Sequence, residues 1–166
     1  MGQFMLALVL ASLLLASTLP PLYRLIARTQ YNVQLQIAVD DIFTGMTLAL
    51  TTHWQATGCR TTPDTLTLAN LINDYHAPTR LNDITWLHSP TLSFNADTAA
   101  PFTVRSATIK ITMTDAISVN AAARYLKGHD YWVTVNDTRL ILTLPISPIS
   151  SVVEQSGFNT QTACME

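Results

Sequence analysis

The sequence predicts an α+β protein, with one long N-terminal helix whose second half packs on a small antiparallel sheet domain. Three observations carry this. Phe4 to Leu19 is an apolar run, and the apolar positions from Leu22 to Ala56 then recur every three to five residues, the spacing of one helical face. After Pro78 the pattern changes to period two, the signature of half-buried strands. Between Asp130 and Leu144 two alternating runs flank Asn136-Asp137, residues that tolerate the positive φ of a tight hairpin.

The first run holds no polar side chains except Ser and Thr, whose hydroxyls can bond back to helix carbonyls. Pro20, Pro21, Leu22, Tyr23 and Arg24 follow. The helical face then continues through Leu25, Ile26, Val33, Ile37, Ile42, Met46, Leu50 and Trp54. Gly45 weakens that helix by roughly 1 kcal/mol relative to Ala, and Gly58 is placed to cap it. Thr61-Thr62-Pro63-Asp64 is a turn, and Asp64 to Asn73 reads as a short second helix. Ile84 to Leu87, Thr91 to Phe94, Phe102 to Arg105 and Thr108 to Met113 read as strands. Asn120 to Lys127 reads as a third helix, with Asn120 as its cap and Gly128 as its stop. Asp130 to Val135 and Thr138 to Leu144 form the hairpin. Asn136-Asp137-Thr138 also fits the glycosylation sequon, but the turn reading is preferred. Pro145 and Pro148 end the sheet, and Ser150 to Glu166 is a polar tail.

The 166 residues suffice for one core and not comfortably for two. Charged residues are 12% of the chain, about half the share expected of a soluble domain. No charged side chain precedes Arg24, and Lys110 and Lys127 are the only lysines. A net charge of -2 and no basic stripe argue against a nucleic-acid partner. Cys59 and Cys164 have no CxxC spacing. In a reducing compartment they would be inert core thiols; in an exported domain the pair would form one disulfide, whose long loop contributes on the order of 4–5 kcal/mol in the chain-entropy model.

The N-terminal run admits three readings. A cleaved signal peptide would need a basic start that is absent here, although Ala16 and Thr18 supply a small-x-small pair. A buried core helix apolar on all sides suits a domain this small poorly. A retained membrane anchor fits best: extended through Ile26 it matches a ~30 Å hydrocarbon core, with Arg24 snorkelling to the interface. Arg24 and Arg28 then lie on the side that the positive-inside rule assigns to the cytoplasm. That conflict disappears if the native gene product carries a short basic leader before this chain.

Phe4 to Gln30 resembles the N-terminal helix of type IV pilins, in which an apolar run, a proline and a tyrosine-containing stretch precede an Ala-Arg-x-Gln-like pattern. The matching residues are Pro20 or Pro21, Tyr23, and Ile26-Ala27-Arg28-Thr29-Gln30. Aligned through them, Gln3 falls where the family usually has a glutamate that pairs with a neighbouring subunit's N-terminal amine. The amide would keep a hydrogen bond but lose its charge-assisted part. The usual Gly-Phe processing junction is absent, and Gly2-Gln3 is no convincing substitute. The long helix ending in Gly58-Cys59 is similar to PilW-like minor pilins and J-type pseudopilins of type II secretion. The resemblance covers about the first third of the chain. It implies a transmembrane and assembly helix over residues 1–26, its amphipathic continuation over 27–58, and a periplasmic globular domain over 59–166. Gln3, Phe4, Leu8, Leu15, Pro20, Pro21, Tyr23 and Arg28 would lie on the assembly helix. Other pilin or pseudopilin subunits would be the partners, in a filament or at its tip, after residence in a bacterial inner membrane. A membrane-anchored periplasmic adaptor unrelated to pili is the alternative.

No catalytic constellation emerges, so the expectation is a non-enzyme with no cofactor, no metal and no small-molecule ligand. His53, His76, His88 and His129 show neither i, i+4 spacing nor HExxH, and GxSxG, GxGxxG and Walker A motifs are absent. Asp40 and Asp41 read as a solvated helix face. Trp54, Trp86 and Trp132 read as core or boundary packing rather than a ligand box.

Overall fold

A computed structural model describes residues 2–84, 87, 90–98, 103–146, 158–159 and 161–165; the side chains of residues 2–15, 17, 18, 24, 25 and 158 lie outside that description. By compactness the chain divides into Met1–Ile37 and Ala38–Glu166. The first unit consists of helix. Helix α1 runs over Gly2–Thr57 and includes Pro20 and Pro21. Each proline lacks an N–H, so two rungs of the i→i−4 ladder are missing there.

The second unit is α+β. Its part of α1 buries Ala38, Val39, Ile42, Phe43, Met46, Ala49 and Leu50, the spacing of one helical stripe. The helix stops at Gly58, whose φ of 69° is the left-handed conformation glycine adopts without penalty; its N–H donates to the Trp54 carbonyl at 2.9 Å. Helix α2, Leu68–Asp74, starts later than the predicted Asp64. Thr67 caps it by accepting from the Asn70 N–H, and the Asn70 side chain returns a bond to the Thr67 N–H, a capping box with Asn in place of Glu or Gln. Gly45 of α1 lies against α2: a Cβ there would sit 3.5 Å from the Leu71 methyls and 3.6 Å from the Ala77 Cβ.

Residues Thr79–Asp83 form a 3₁₀ helix that the sequence pattern did not indicate. The predicted strand Ile84–Leu87 is corrected: the Leu87 N–H donates to the Ile84 carbonyl at 3.0 Å, closing a turn. Leu81 and Leu87 are both buried, and the turn lets both reach the core within a few residues. Thr85 and Trp86 lie outside the described residues.

The main sheet has four antiparallel-paired strands in the order β1-β2-β4-β3: β1 Thr91–Ala96, β2 Val104–Thr112, β3 Trp132–Asn136 and β4 Arg139–Pro145. The two predicted strands Phe102–Arg105 and Thr108–Met113 prove to be one element, because Ser106 and Ala107 pair with Asn95 and Phe94 on one side and with Pro145 and Leu144 on the other; Phe102 lies outside the described residues. Helix α3, Ala116–Leu126, connects β2 to β3 and lies against β3 and β4. Its cap is Asp115, which accepts from the Ser118 N–H at 2.8 Å. The predicted cap Asn120 sits inside the helix instead, its side-chain amide donating to the Ala116 carbonyl at 2.7 Å. The β3–β4 turn is Asp137-Thr138, one residue beyond the predicted Asn136-Asp137, with Asp137 at φ 55°. Core alternation fixes that register: Leu92, Ile109, Leu142 and Val133 form one cross-strand row, and Ile111, Leu140 and Val135 the next. A slip by one residue would turn Val133 and Val135 to the opposite face. Pro145, predicted to end the sheet, is the last residue of β4; Pro148 lies outside the described residues.

Candidate assembly helix, clasp and cleft

In Met1–Ile37 helix α1 exposes a row of apolar side chains along one side, while Leu35 is buried. Leu19, Leu22, Ile26, Val33 and Ile37 all present apolar surface to water, and Tyr23 is 75% exposed. Their offsets of three, four and seven residues place them on one stripe. Pro20, Pro21 and Arg28 are exposed too. Gln3, Phe4, Leu8 and Leu15 have helical backbone, while their side chains lie outside the described residues. Among the described residues no helix is long and apolar enough to cross a membrane.

In Ala38–Glu166 the expected pair Cys59 and Cys164 forms a disulfide that closes a separation of 105 residues. Backbone bonds flank it. The Arg60 N–H donates to the Ala163 carbonyl at 2.7 Å, the Met165 N–H donates to the Gly58 carbonyl at 2.9 Å, and the Val104 N–H donates to the Arg60 carbonyl at 3.4 Å. The polar tail thus ends in a small two-stranded sheet, β5 Phe158–Asn159 with β6 Cys164–Met165, next to the end of α1. The Asn159 carboxamide oxygen accepts from the Gln161 and Thr162 N–H groups and shapes the turn between these strands. On the other side of Cys59, the Arg60 guanidinium lies 5.1 Å from the centre of the Trp54 ring, and the Trp54 indole N–H donates to the Thr61 carbonyl.

An open cleft of about 740 Å³ lies between α1 and the segment entering β3, lined by Asp40, Phe43, Leu48, His129, Asp130 and Tyr131 among others. His129 stacks on Tyr131 with ring centres 5.6 Å apart, and its Nδ1 lies 3.0 Å from the Leu126 carbonyl. The Tyr131 hydroxyl is buried with no hydrogen-bond partner among the described residues. Burial, with the Asp40 charge second, pushes its pKa above the ordinary tyrosine range. Among the described residues no group of three or more His, Cys, Asp or Glu is placed to hold a metal ion.

Asp41, expected on a solvated face, pairs with Arg80 at 2.6 Å. Trp54 is half-buried, and Trp86 lies outside the described residues. Trp132 departs from the expected core or boundary role: it is 69% exposed. The alternation of β3 explains this, because Val133 and Val135 take the inner face and turn Trp132 outward. The parity of Trp132 against those two valines was the signal available in the sequence. No family model matches this chain, and no curated protein or solved structure is significantly similar to it.

Proposed function

We propose that this protein is a minor pilin or pseudopilin subunit of a type IV pilus or type II secretion system, acting in filament assembly or at the tip. The exposed apolar stripe of α1 from Leu19 to Ile37 carries the reading. Such a stripe costs free energy in water and is relieved by packing against other helices. It follows the apolar sequence Phe4–Leu19, which in this reading anchors the subunit in the bacterial inner membrane before assembly and joins the filament core afterwards. Small hydroxyl and alanine side chains in that run suit close helix packing. The Cys59–Cys164 disulfide supports a periplasmic location for the C-terminal domain, since such bonds persist in oxidising compartments.

The test is N-terminal sequencing of the mature protein from the membrane fraction of its native host, expressed from its natural gene. A methylated N-terminus shortly before Gln3, with the apolar helix retained, is the expected result. A start beyond Thr18 would mean signal cleavage and overturn the assembly role of the helix. An unprocessed protein in the membrane would favour a permanently anchored periplasmic adaptor.

A further inference from the structure

The main sheet has two unlike faces. One holds the rows of Leu, Ile and Val described above. The other carries the alternate residues of all four strands, and most of them are exposed, among them Thr91, Lys110, Thr112, Trp132, Thr134 and Arg139. Across this outer face the polar side chains are already joined. The Asn95 amide donates to the Ser106 hydroxyl at 2.9 Å and to the Thr108 hydroxyl at 2.8 Å. The Thr108 hydroxyl lies 3.4 Å from that of Thr143, and Thr143 is the cross-strand partner of Trp132. A line of hydrogen-bonded side chains therefore runs from β1 through the buried Thr108 of β2 to Thr143 of β4, which stands opposite the exposed Trp132 of β3.

Charge is distributed with the same asymmetry. Lys110 on β2 and Arg139 on β4 stand on this face, and no strand residue of the face is acidic, although the chain as a whole carries a net charge of -2. Neither cation forms an ion pair among the described residues, where the pairs are Arg80–Asp41 and Arg105–Asp97. The nearest acid in sequence is Asp137, in the turn beside Arg139.

We infer that the outer face of the main sheet binds an acidic oligosaccharide, a glycan bearing sugar carboxylates of the uronate or sialate type. Each element of the face matches one part of such a ligand. The flat indole covers the apolar C–H face of a pyranose ring, as an aromatic with a large apolar body can. Asn95, Ser106 and Thr143 offer polar atoms to ring hydroxyls, while Thr108, itself buried, ties Asn95 and Thr143 together; these bonds fix the side chains before binding, so less ordering entropy is lost. Lys110 and Arg139 supply charge-assisted bonds to carboxylates, and Arg does so with two parallel donors. A nucleic acid fits less well. Binding a single strand uses successive aromatic platforms and many phosphate contacts, whereas this face has one aromatic and two cations. The inference rests on the sheet alone and does not depend on how the N-terminus is processed.

The test uses the full chain purified in mild detergent. The probes are an oligogalacturonate, its methyl ester with the same backbone but no charge, a sialylated oligosaccharide, and a single-stranded oligothymidylate, each followed by titration calorimetry. At least one acidic glycan should bind, with weaker binding of the uncharged ester and of either glycan at high salt. Trp132→Ala should weaken binding about tenfold or more, a factor equivalent to one buried contact. Lys110→Gln with Arg139→Gln should remove the preference for the acid over the ester. These side chains are exposed, so circular dichroism of the variants should match the wild type. The inference is overturned if neither acidic glycan binds, if Trp132→Ala leaves the affinity unchanged, or if oligothymidylate binds more tightly than both glycans.

Discussion

Replacing Cys59 and Cys164 together by Ser tests how the chain uses its one cross-link. The bond closes a separation of 105 residues. In the chain-entropy model, removing it frees the unfolded chain by about 4.8 kcal/mol at 25 °C. For a domain of this size 1 kcal/mol moves Tm by about 3–5 °C, so full expression of the effect would lower Tm by about 14–24 °C. The clasp geometry sets that as an upper limit. Without the bond, the tail is held by two flanking backbone hydrogen bonds, the β5–β6 pairing and the buried Ala163. Each hydrogen bond contributes about 1 kcal/mol net, while ordering costs about 1–2 kcal/mol per residue. The tail therefore frays in the variant, and the freedom it regains in the folded state offsets part of the loss. Thermal unfolding by circular dichroism, with wild type in oxidising and reducing buffer beside the double variant, should show a Tm loss well above about 2 °C and below about 24 °C. Hydrogen exchange should show the Arg60 and Met165 amides, which donate across the clasp, losing protection before the β2 and β4 amides. A double variant with wild-type Tm and unchanged protection of those two amides would refute the reasoning.

Gly45→Ala should stabilise the domain by about 0.5–1 kcal/mol in urea unfolding, because the helix gains propensity and the new methyl meets Leu71 and Ala77 at ordinary contact distance. Tyr131→Phe should be neutral or stabilising by about 1 kcal/mol, since it removes a buried hydroxyl with no partner. The tyrosine's folded pKa is raised above its ordinary 10.0. The wild type should thus hold its stability below pH 10 and lose it as the pH climbs towards the folded value, while the Phe variant should lack that loss in alkaline urea titrations. Asp115 is shifted the other way, below 3.8, because its carboxylate accepts first from the Ser118 N–H and next from the Ser118 hydroxyl. Its contribution is present above pH 3.8 and lost as pH falls through the lower folded value, so Asp115→Asn should flatten the acid limb of a Tm-against-pH curve. Leu22→Asn with Ile26→Asn should leave domain stability within about 0.5 kcal/mol, as expected of exposed sites; on the proposed assembly role it should also abolish recovery of the protein in sheared filaments or cross-linked assemblies.

Local signals carried the elements that local chemistry decides. Gly58 could be read as a cap because a left-handed residue after a long helix is a backbone requirement, met by φ 69°. The hairpin was visible because Val133, Val135, Leu140 and Leu142 alternate. Its turn was misplaced by one residue because Asn136 and Asp137 are equally suited to positive φ, and only pairing across the core decides between them. Asn120 and Asp115 posed the same kind of choice: both can cap, and the earlier one wins because starting at Ala116 brings Val119, Ala122 and Ala123 into one buried stripe with Leu126. The 3₁₀ segment and the turn after it left no periodic trace, since five residues are too few to show one. Of the surfaces, the α1 stripe was legible as helical periodicity and the disulfide as an even cysteine count. The outer sheet face was not, because single hydroxyls spaced two apart look like ordinary polar alternation until four strands are set side by side.

Threonine explains how a chain with 12% charged residues presents polar surface at all. On α1 the hydroxyls turn inward along the helix: Thr44 donates to the Asp40 carbonyl at 2.8 Å, Thr47 to that of Phe43 at 2.9 Å and Thr57 to that of His53 at 2.8 Å. Each donor is then satisfied by its own helix, and the side chain presents a methyl outward. On the sheet the same residue type is favoured for its β-branch, but its hydroxyl bonds sideways, as Thr108 does with Asn95 and Thr143. A self-satisfied helix surface loses little when water is removed from it, which suits lateral packing against other helices. The sheet network centres on the buried Thr108 and leaves the exposed Asn95 and the half-buried Ser106 and Thr143 within reach of solvent or ligand. Replacing these threonines by charged residues would not be a neutral exchange of polarity, because it would add a desolvation cost on the helix and remove the ordered line on the sheet.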